Sequence, residues 1–222
     1  MENILKYDVD CGCMATRKNY EVIVLSTEDK TEVLKLLFAF LESEPIKASM
    51  KIAHEMKDAL SQKFYSVCVR NGWSLGMFQK STGRLVAIFL GALHSKDFDS
   101  GDEFEFPHYM HLMNELEGDV YSEFNVHRYF ETFICQVDPE FRRLGIQCEL
   151  MTLLECVAWD FDCKLMTCLP TSCYSYKNHC KLGYEVAHQI NYADYKHPTT
   201  GEKILANVAP PHIFASMMVK WL

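Results

Sequence analysis

The run Gln136-Val137-Asp138-Pro139-Glu140-Phe141-Arg142-Arg143-Leu144-Gly145-Ile146-Gln147 holds the most chemical information in this 222-residue sequence. A β-branched stretch ends at an Asp-Pro break, two arginines and a glycine follow, and a helical apolar pattern begins at once. Such a turn makes an anion site. The first N–H groups of a helix lack intrahelical partners, and the helix dipole favours negative charge there. Gly145 lets the backbone approach an anion closely, and Arg142 or Arg143 can add a charge-assisted contact. The run is neither a G-x-x-x-x-G-K-[ST] loop nor a three-glycine dinucleotide fingerprint. Taken alone, it fits equally well an ordinary strand-to-helix turn with solvated arginines.

A second group is the hydroxyl cluster Thr171, Ser172, Tyr174 and Ser175, which begins where an apolar run ends. Oxygens placed there either cap a helix or donate to a reacting group. The ten cysteines include no C-x-x-C pair, so zinc-ribbon and thioredoxin signatures are absent. Most of them read as free thiols, several on apolar helix or strand faces. A metal site would need Cys11, Cys13 and a distant histidine, and no metal is expected. A nucleophile at Cys135 or Cys173, paired with a histidine such as His179, is an alternative that no local motif supports.

These residues need elements to hold them. Residues 1–19 are polar and aperiodic and read as a leader, with a single domain over 20–222. Glu21 to Leu25 reads as a strand, and Ser26 to Asp29 as a helix start. Val33, Leu34, Leu37, Phe38, Phe40 and Leu41 recur at helical spacing until Pro45 stops the ladder. A second helix is expected from Lys47 to about Gln62. Strands follow at Phe64 to Arg70 and Trp73 to Gln79, then a turn at Ser81-Thr82-Gly83. Arg84 to Leu93 is the next strand, with Val86, Ile88 and Leu90 on one face. The stretch from about Phe104 to Phe124 reads as mostly helical. Beyond Tyr129 strands and helices alternate: Phe133 to Val137, a helix after Gly145, a strand from Lys164 to Leu169, and a short helix from about Ser172 to Leu182. Gly183 is expected in a left-handed conformation at that helix end, with Tyr184 opening a strand and His212 to Leu222 forming the last one.

Composition narrows the class. Hydrophobic residues make up 49% and charged residues 23%, close to the globular average. No stretch approaches the roughly 18 uninterrupted apolar residues of a membrane span. The start of the chain lacks a basic segment followed by an apolar core, so a cytoplasmic protein is expected. The net charge of -8 and the missing basic stripe speak against a nucleic-acid partner. Acids cluster at Asp97, Asp99, Asp102, Glu103 and Glu105, most simply a solvated loop. The negative field favours a cationic small molecule over an anionic one.

Several pieces, in order, resemble the GNAT superfamily of N-acetyltransferases. The Arg-x-x-Gly-x-(Gly/Ala) loop after a strand resembles that superfamily's pyrophosphate loop, and Leu182-Gly183-Tyr184-Glu185 its later Leu-Gly-Phe/Tyr-Glu ending. Ser43-Glu44-Pro45-Ile46, Gly83 to Leu90, Thr171 to Ser175, Tyr192-Ala193-Asp194-Tyr195 and Ala209-Pro210-Pro211-His212 are similar to the arylalkylamine branch typified by insect dopamine N-acetyltransferases. Each piece is short, but the ordered set spans about residues 20 to 220. Two positions depart from the pattern: Gln147 where the family prefers Gly or Ala, and Thr171 where it carries a serine.

The resemblance implies an α/β (α+β) GNAT fold. Its central sheet would be mixed, largely antiparallel and twisted, with about seven strands, flanking helices and splayed parallel strands at the acetyl-CoA site. It implies acetyl-CoA as cosubstrate and a small-molecule amine as partner; no metal and no membrane are expected, and a monomer is the default. Acetyl transfer to an amine needs a base for the ammonium, a donor for the oxyanion and an acid for the departing thiolate. The resemblance assigns Glu44 as the base, with Glu42 as its neighbour and competitor. It assigns Ser175 and Thr171 as functional hydroxyls, with Ser175 protonating the sulfur; Tyr174 is the rival acid, its pKa lying nearer a thiol's. Gln136 and Val137 would pair with the pantetheine amides, and Arg142, Arg143, Leu144, Gly145, Ile146, Gln147 and Cys148 would hold the pyrophosphate. Tyr192, Tyr195 and Phe214 either line the amine pocket or sit in the core. The expected activity is acetylation of an arylalkylamine. A polyamine acetyltransferase and a CoA-binding pseudoenzyme are the alternatives.

Overall fold

The computed structural model describes residues 18–47, 65–70, 73–97 and 107–222. Strand β1 (Tyr20–Val24) gives way to a helix because Ser26 and Asp29 close a capping box. The Ser26 hydroxyl accepts from the Glu28 N–H at 3.2 Å, and the Asp29 carboxylate accepts from the Ser26 N–H at 2.9 Å. One 3-10 turn later the chain enters helix α1 (Lys30–Ser43), which buries Val33, Leu36, Leu37 and Leu41 at steps of three and four.

Next come α2 (Tyr65–Arg70), β2 (Leu75–Gln79), β3 (Arg84–Ser95), α3 (Pro107–Glu117), α4 (Val120–Glu123), β4 (Arg128–Val137), α5 (Ile146–Asp160), β5 (Leu165–Cys168), α6 (Cys173–Lys181), β6 (Glu185–Asn191) and β7 (Phe214–Trp221). Among the described residues the strands form one seven-stranded sheet in the order β1-β2-β3-β4-β5-β7-β6. Only β4 and β5 run parallel. Helices α1, α2 and α3 pack on one face around Leu37, Tyr65, Leu112 and Ile134. Helix α5 packs on the other, around Phe89, Phe130, Leu150 and Met166.

The expected mixed, largely antiparallel sheet is present, with three local corrections. Tyr65–Arg70 is helical rather than a strand. Its buried residues Tyr65, Cys68 and Val69 recur at three and four, a period hidden in a short β-branched and aromatic run. Val86 does not share a face with Ile88 and Leu90, because the register of β3 shifts against Met77/Phe78. That extra residue turns Val86 into the α5-side core. Strand β4 starts at Arg128, five positions before the expected Phe133. Most of the helix expected over 47–62, and nearly all of the leader, lie outside the described residues. Gly183 has the expected left-handed backbone at φ 85°, with Tyr184 N–H bonded to His179 C=O and Gly183 N–H to Cys180 C=O.

The parallel pair sets up the site. It is short: Phe130, Glu131 and Thr132 register with Met166, Thr167 and Cys168. There β5 stops, while β4 stays paired with β3 as far as Val137. The Thr132 hydroxyl donates to the Thr167 carbonyl at 3.0 Å and closes the crotch. Pro170, two residues on, has no N–H to extend the ladder. Helix α5 springs from the end of β4 and α6 from the end of β5, so both helix N-termini border the opening.

The capping box holds the entry of the helix that ends at Glu44. Ser26→Ala is expected to lower stability by about 1 kcal/mol in urea denaturation.

Candidate functional site

The splay between β4 and β5 opens into a cleft of about 790 Å³. Its lining includes Glu44, Gln136, Val137, Arg142, Arg143, Gly145, Ile146, Gln147, Cys148, Thr171 and Ser175, gathered from distant parts of the chain. Leu144 is the exception among the expected site residues. It is 49% exposed and does not line the cleft, because the turn points it to solvent.

Glu44 ends α1, where its N–H caps the Leu41 carbonyl and its backbone turns to an extended conformation. Its carboxylate is buried. One oxygen accepts from the Thr171 hydroxyl at 3.0 Å and the other from the Ile46 N–H at 3.3 Å. Burial disfavours the charged form and raises its pKa from the usual 4.5 to about 7; the Thr171 hydroxyl, the Ile46 amide and the Lys47 charge pull the other way. Glu42, by contrast, is exposed and bridges to Lys47 at 3.4 Å. Thr171 is itself fixed, since its carbonyl accepts from the buried Tyr192 hydroxyl.

At the other end of the cleft, Gly145 stands at the N-cap of α5 with φ 80°, and Arg143 is also left-handed at φ 66°. No side chain caps α5. Helix α6 is closed quite differently: Ser172 Oγ accepts from the Ser175 N–H at 3.1 Å, and His212 Nδ1 accepts from the Cys173 N–H at 3.2 Å. The first amides of α5 therefore stay open to the cleft. Arg142, Arg143, Lys177 and Lys181 line it too, and none has a carboxylate partner among the described residues. The Arg142 guanidinium holds the strand end by donating to the Val137 carbonyl at 3.2 Å. Gln136 is buried, and its side-chain nitrogen has no hydrogen-bond partner. An uncapped helix, unpaired cations and an orphaned amide together suit an elongated ligand carrying anionic and amide groups.

Ser175 projects from the first turn of α6, with His179 Nδ1 3.4 Å from its hydroxyl. Tyr174 sits at the rim, 63% exposed, its ring edge-on to His212 at 5.4 Å. Ser172 acts as a cap, as one reading of the hydroxyl cluster allows. Gln147 reaches across the cleft mouth, where its side-chain oxygen accepts from Asn178 at 2.9 Å.

Other expectations change. Tyr192 and Tyr195 are core residues on the α1 face, and Phe214 packs edge-on against Tyr176 at 5.0 Å; none lines the cleft. The aromatic lining comes instead from Phe40, Phe89, Phe133, Phe141 and Tyr174. Cys135 borders the cleft, but burial pushes its thiol up to about 12, far from a reactive thiolate. Among the described residues no group of histidines, cysteines and acids could hold a metal. The sequence reading missed Lys177, Asn178, Lys181 and His212. Tyr174, Lys177, Asn178 and Lys181 share one helical face, a spacing legible in advance. His212, which caps α6 from 39 residues away, had no such signal.

No family model matches the chain, and no curated protein does. Solved structures do. An arylalkylamine N-acetyltransferase 2 from Aedes aegypti superposes with a TM-score of 0.76 at 22% identity, covering 91% of this chain and 99% of its own. A Drosophila melanogaster polyamine N-acetyltransferase that forms N-acetylagmatine gives 0.77 at 20%, covering 92% and 100%. The fold is that of the GNAT acetyltransferases. The C-terminal condensation domain of Ebony, solved with β-alanyl-dopamine, is similar as well: TM-score 0.78 at 16% identity, covering 91% and 99%.

The raised pKa of Glu44 carries a stability consequence. A carboxyl that holds its proton more tightly when folded costs nothing below about 4.5, its ordinary value, and most above about 7. Glu44→Gln, which stays neutral, should melt above the wild type at pH 8, and the gap should shrink at pH 5.

Proposed function

We propose that this chain is an acetyl-CoA-dependent N-acetyltransferase acting on the primary amine of an arylalkylamine, by direct attack with both reactants bound. The supporting observation is Glu44. It is a buried carboxylate of near-neutral pKa, in the same cleft as the uncapped α5 and the part of β4 that runs on past β5. The arylalkylamine named for one similar solved enzyme agrees with that reading.

Bound acetyl-CoA supplies the activated acetyl group. Glu44 accepts the proton of the ammonium and frees its lone pair, and a base of pKa near 7 suits that task at neutral pH. The carboxylate also attracts the cation before the proton moves. Thr171 orients Glu44 through its hydroxyl. Phe40 and Phe133 offer apolar surface for the body of the amine. The α5 amides, with Arg143 and Gly145, hold the diphosphate, and Lys177 and Lys181 add positive charge on the facing helix. The Val137 N–H and the Gln136 side-chain amide pair with the pantetheine amides, the first as an added strand would. As the C–N bond forms and the C–S bond breaks, Ser175 delivers its proton to the sulfur and regains one from the nitrogen, which sheds it on becoming an amide; Tyr174 is the rim alternative.

A second reading keeps the chemistry and changes the amine to a polyamine or agmatine. The similar agmatine-acetylating structure and the net charge of -8 favour it. A CoA-binding pseudoenzyme is the third.

Free-thiol release from acetyl-CoA with dopamine, tryptamine, spermidine and agmatine separates these readings. Higher kcat/KM for the aromatic amines supports the first, and the reverse order the second. CoA binding without turnover supports the third; no binding at all removes the reading. Turnover should rise with pH through about 7, and Glu44→Gln should lower kcat by at least about a hundredfold. Gly145→Ala, which strains a φ of 80°, should weaken CoA binding in calorimetry with little change in amine KM.

A further inference from the structure

We propose that His179 is a positioning residue for this acyl transfer: by donating its Nδ1–H to the Ser175 carbonyl, it directs the Ser175 hydroxyl proton into the cleft. The inference rests on the acetyl-transfer reading above. His179 Nδ1 lies 2.9 Å from the Ser175 carbonyl oxygen, and a carbonyl only accepts, so this nitrogen carries the proton. The Ser175 hydroxyl, 3.4 Å from the same nitrogen, faces a donor rather than an acceptor. Its own proton must point elsewhere, and Ser175 borders the cleft.

The ring is also packed, with Tyr184 edge-on against it at 5.0 Å. Burial lowers the pKa of the imidazole, which keeps it neutral. With Nδ1 protonated, Nε2 is a bare acceptor, and it is buried with no hydrogen-bond partner. A packing role alone would favour phenylalanine, which has no dry lone pair to leave unpaired. The one nitrogen that does bond is the one at Ser175.

The test compares His179→Phe, which keeps a ring and loses the donor, with His179→Asn, which keeps a donor on the equivalent atom. His179→Phe should lower kcat about tenfold or more with the KM for acetyl-CoA nearly unchanged, and His179→Asn should recover most of that loss. Adding His179→Phe to Ser175→Ala should cost nothing further, because without the hydroxyl there is no proton left to direct. Long-range ¹H–¹⁵N spectra of the histidine-labelled wild type should show Nδ1 protonated, a readout independent of activity and of whether any variant folds. An unchanged kcat in His179→Phe, losses that multiply in the double variant, or an Nε2-protonated ring would each overturn the inference. If the wild type transfers acetyl groups and Ser175→Ala slows it while His179→Phe does not, this inference alone falls. A wild type that turns over no amine removes the acetyl-transfer reading and this inference together.

Discussion

Strand β5 ends at Cys168 while β4 runs on to Val137, and that difference in length shapes everything around the cleft. Beyond Thr132 no strand lies on the β5 side of β4 among the described residues, and the Arg142 guanidinium takes the Val137 carbonyl there. Pro170 makes the break firm, since it cannot donate to a ladder and its carbonyl instead accepts from Ser216 N–H at 3.1 Å. The parallel direction of this one pair matters as well. It sends both following helices away from the same end of the sheet, leaving their N-termini beside the opening. An antiparallel pair would have put one of them at the far end.

The two helix starts are then used differently. Ser172 and His212 close α6, and what remains on its cleft side is side-chain chemistry: Ser175, Tyr174 and the lysines. Helix α5 begins on a left-handed glycine without a cap, and its amides stay available. The amine end follows another logic. Glu44 is buried at the end of α1, and Thr171 ties it across 127 residues of sequence to the strand-end loop. Tyr192 anchors Thr171 to the apolar core, so the base is oriented by packing on the α1 face. Thr171, a serine in the sequences it resembles, makes this bond through its hydroxyl, and its methyl group lies in a buried position.

How far the sequence could foretell this depends on the range of each signal. The Asp-Pro break, Gly145 and the helical pattern from Ile146 are contiguous, and the anion turn follows from them directly. Glu44 is different: nothing beside it distinguishes it from Glu42, and only the ordered resemblance singled it out. Its burial and raised pKa come from tertiary neighbours such as Thr171, which no local pattern displays. Tyr65–Arg70 was misread because six residues hold less than two helical turns, too few for the period to outweigh β-branched composition. Val86 was misplaced because a register shift is set by the partner strand. Tyr192 and Tyr195 looked like pocket walls by residue type, yet their packing on the α1 face makes them core.

The similarity to a condensation domain holding β-alanyl-dopamine means that the fold by itself leaves the acyl donor open. What argues for coenzyme A lies in this chain's own residues. Its net charge is -8, so a cluster of unpaired cations at one cleft runs against the character of the rest of the molecule. Like charges brought together without counterions cost stability unless an anion joins them, and the uncapped α5 points its dipole at the same place. Gln136 adds an unpaired side-chain amide to the same cleft, a partner for an amide-bearing arm. Anion site, unpaired amide and buried base thus line one cleft, the three groups that a phosphorylated, amide-containing thioester meeting an amine requires.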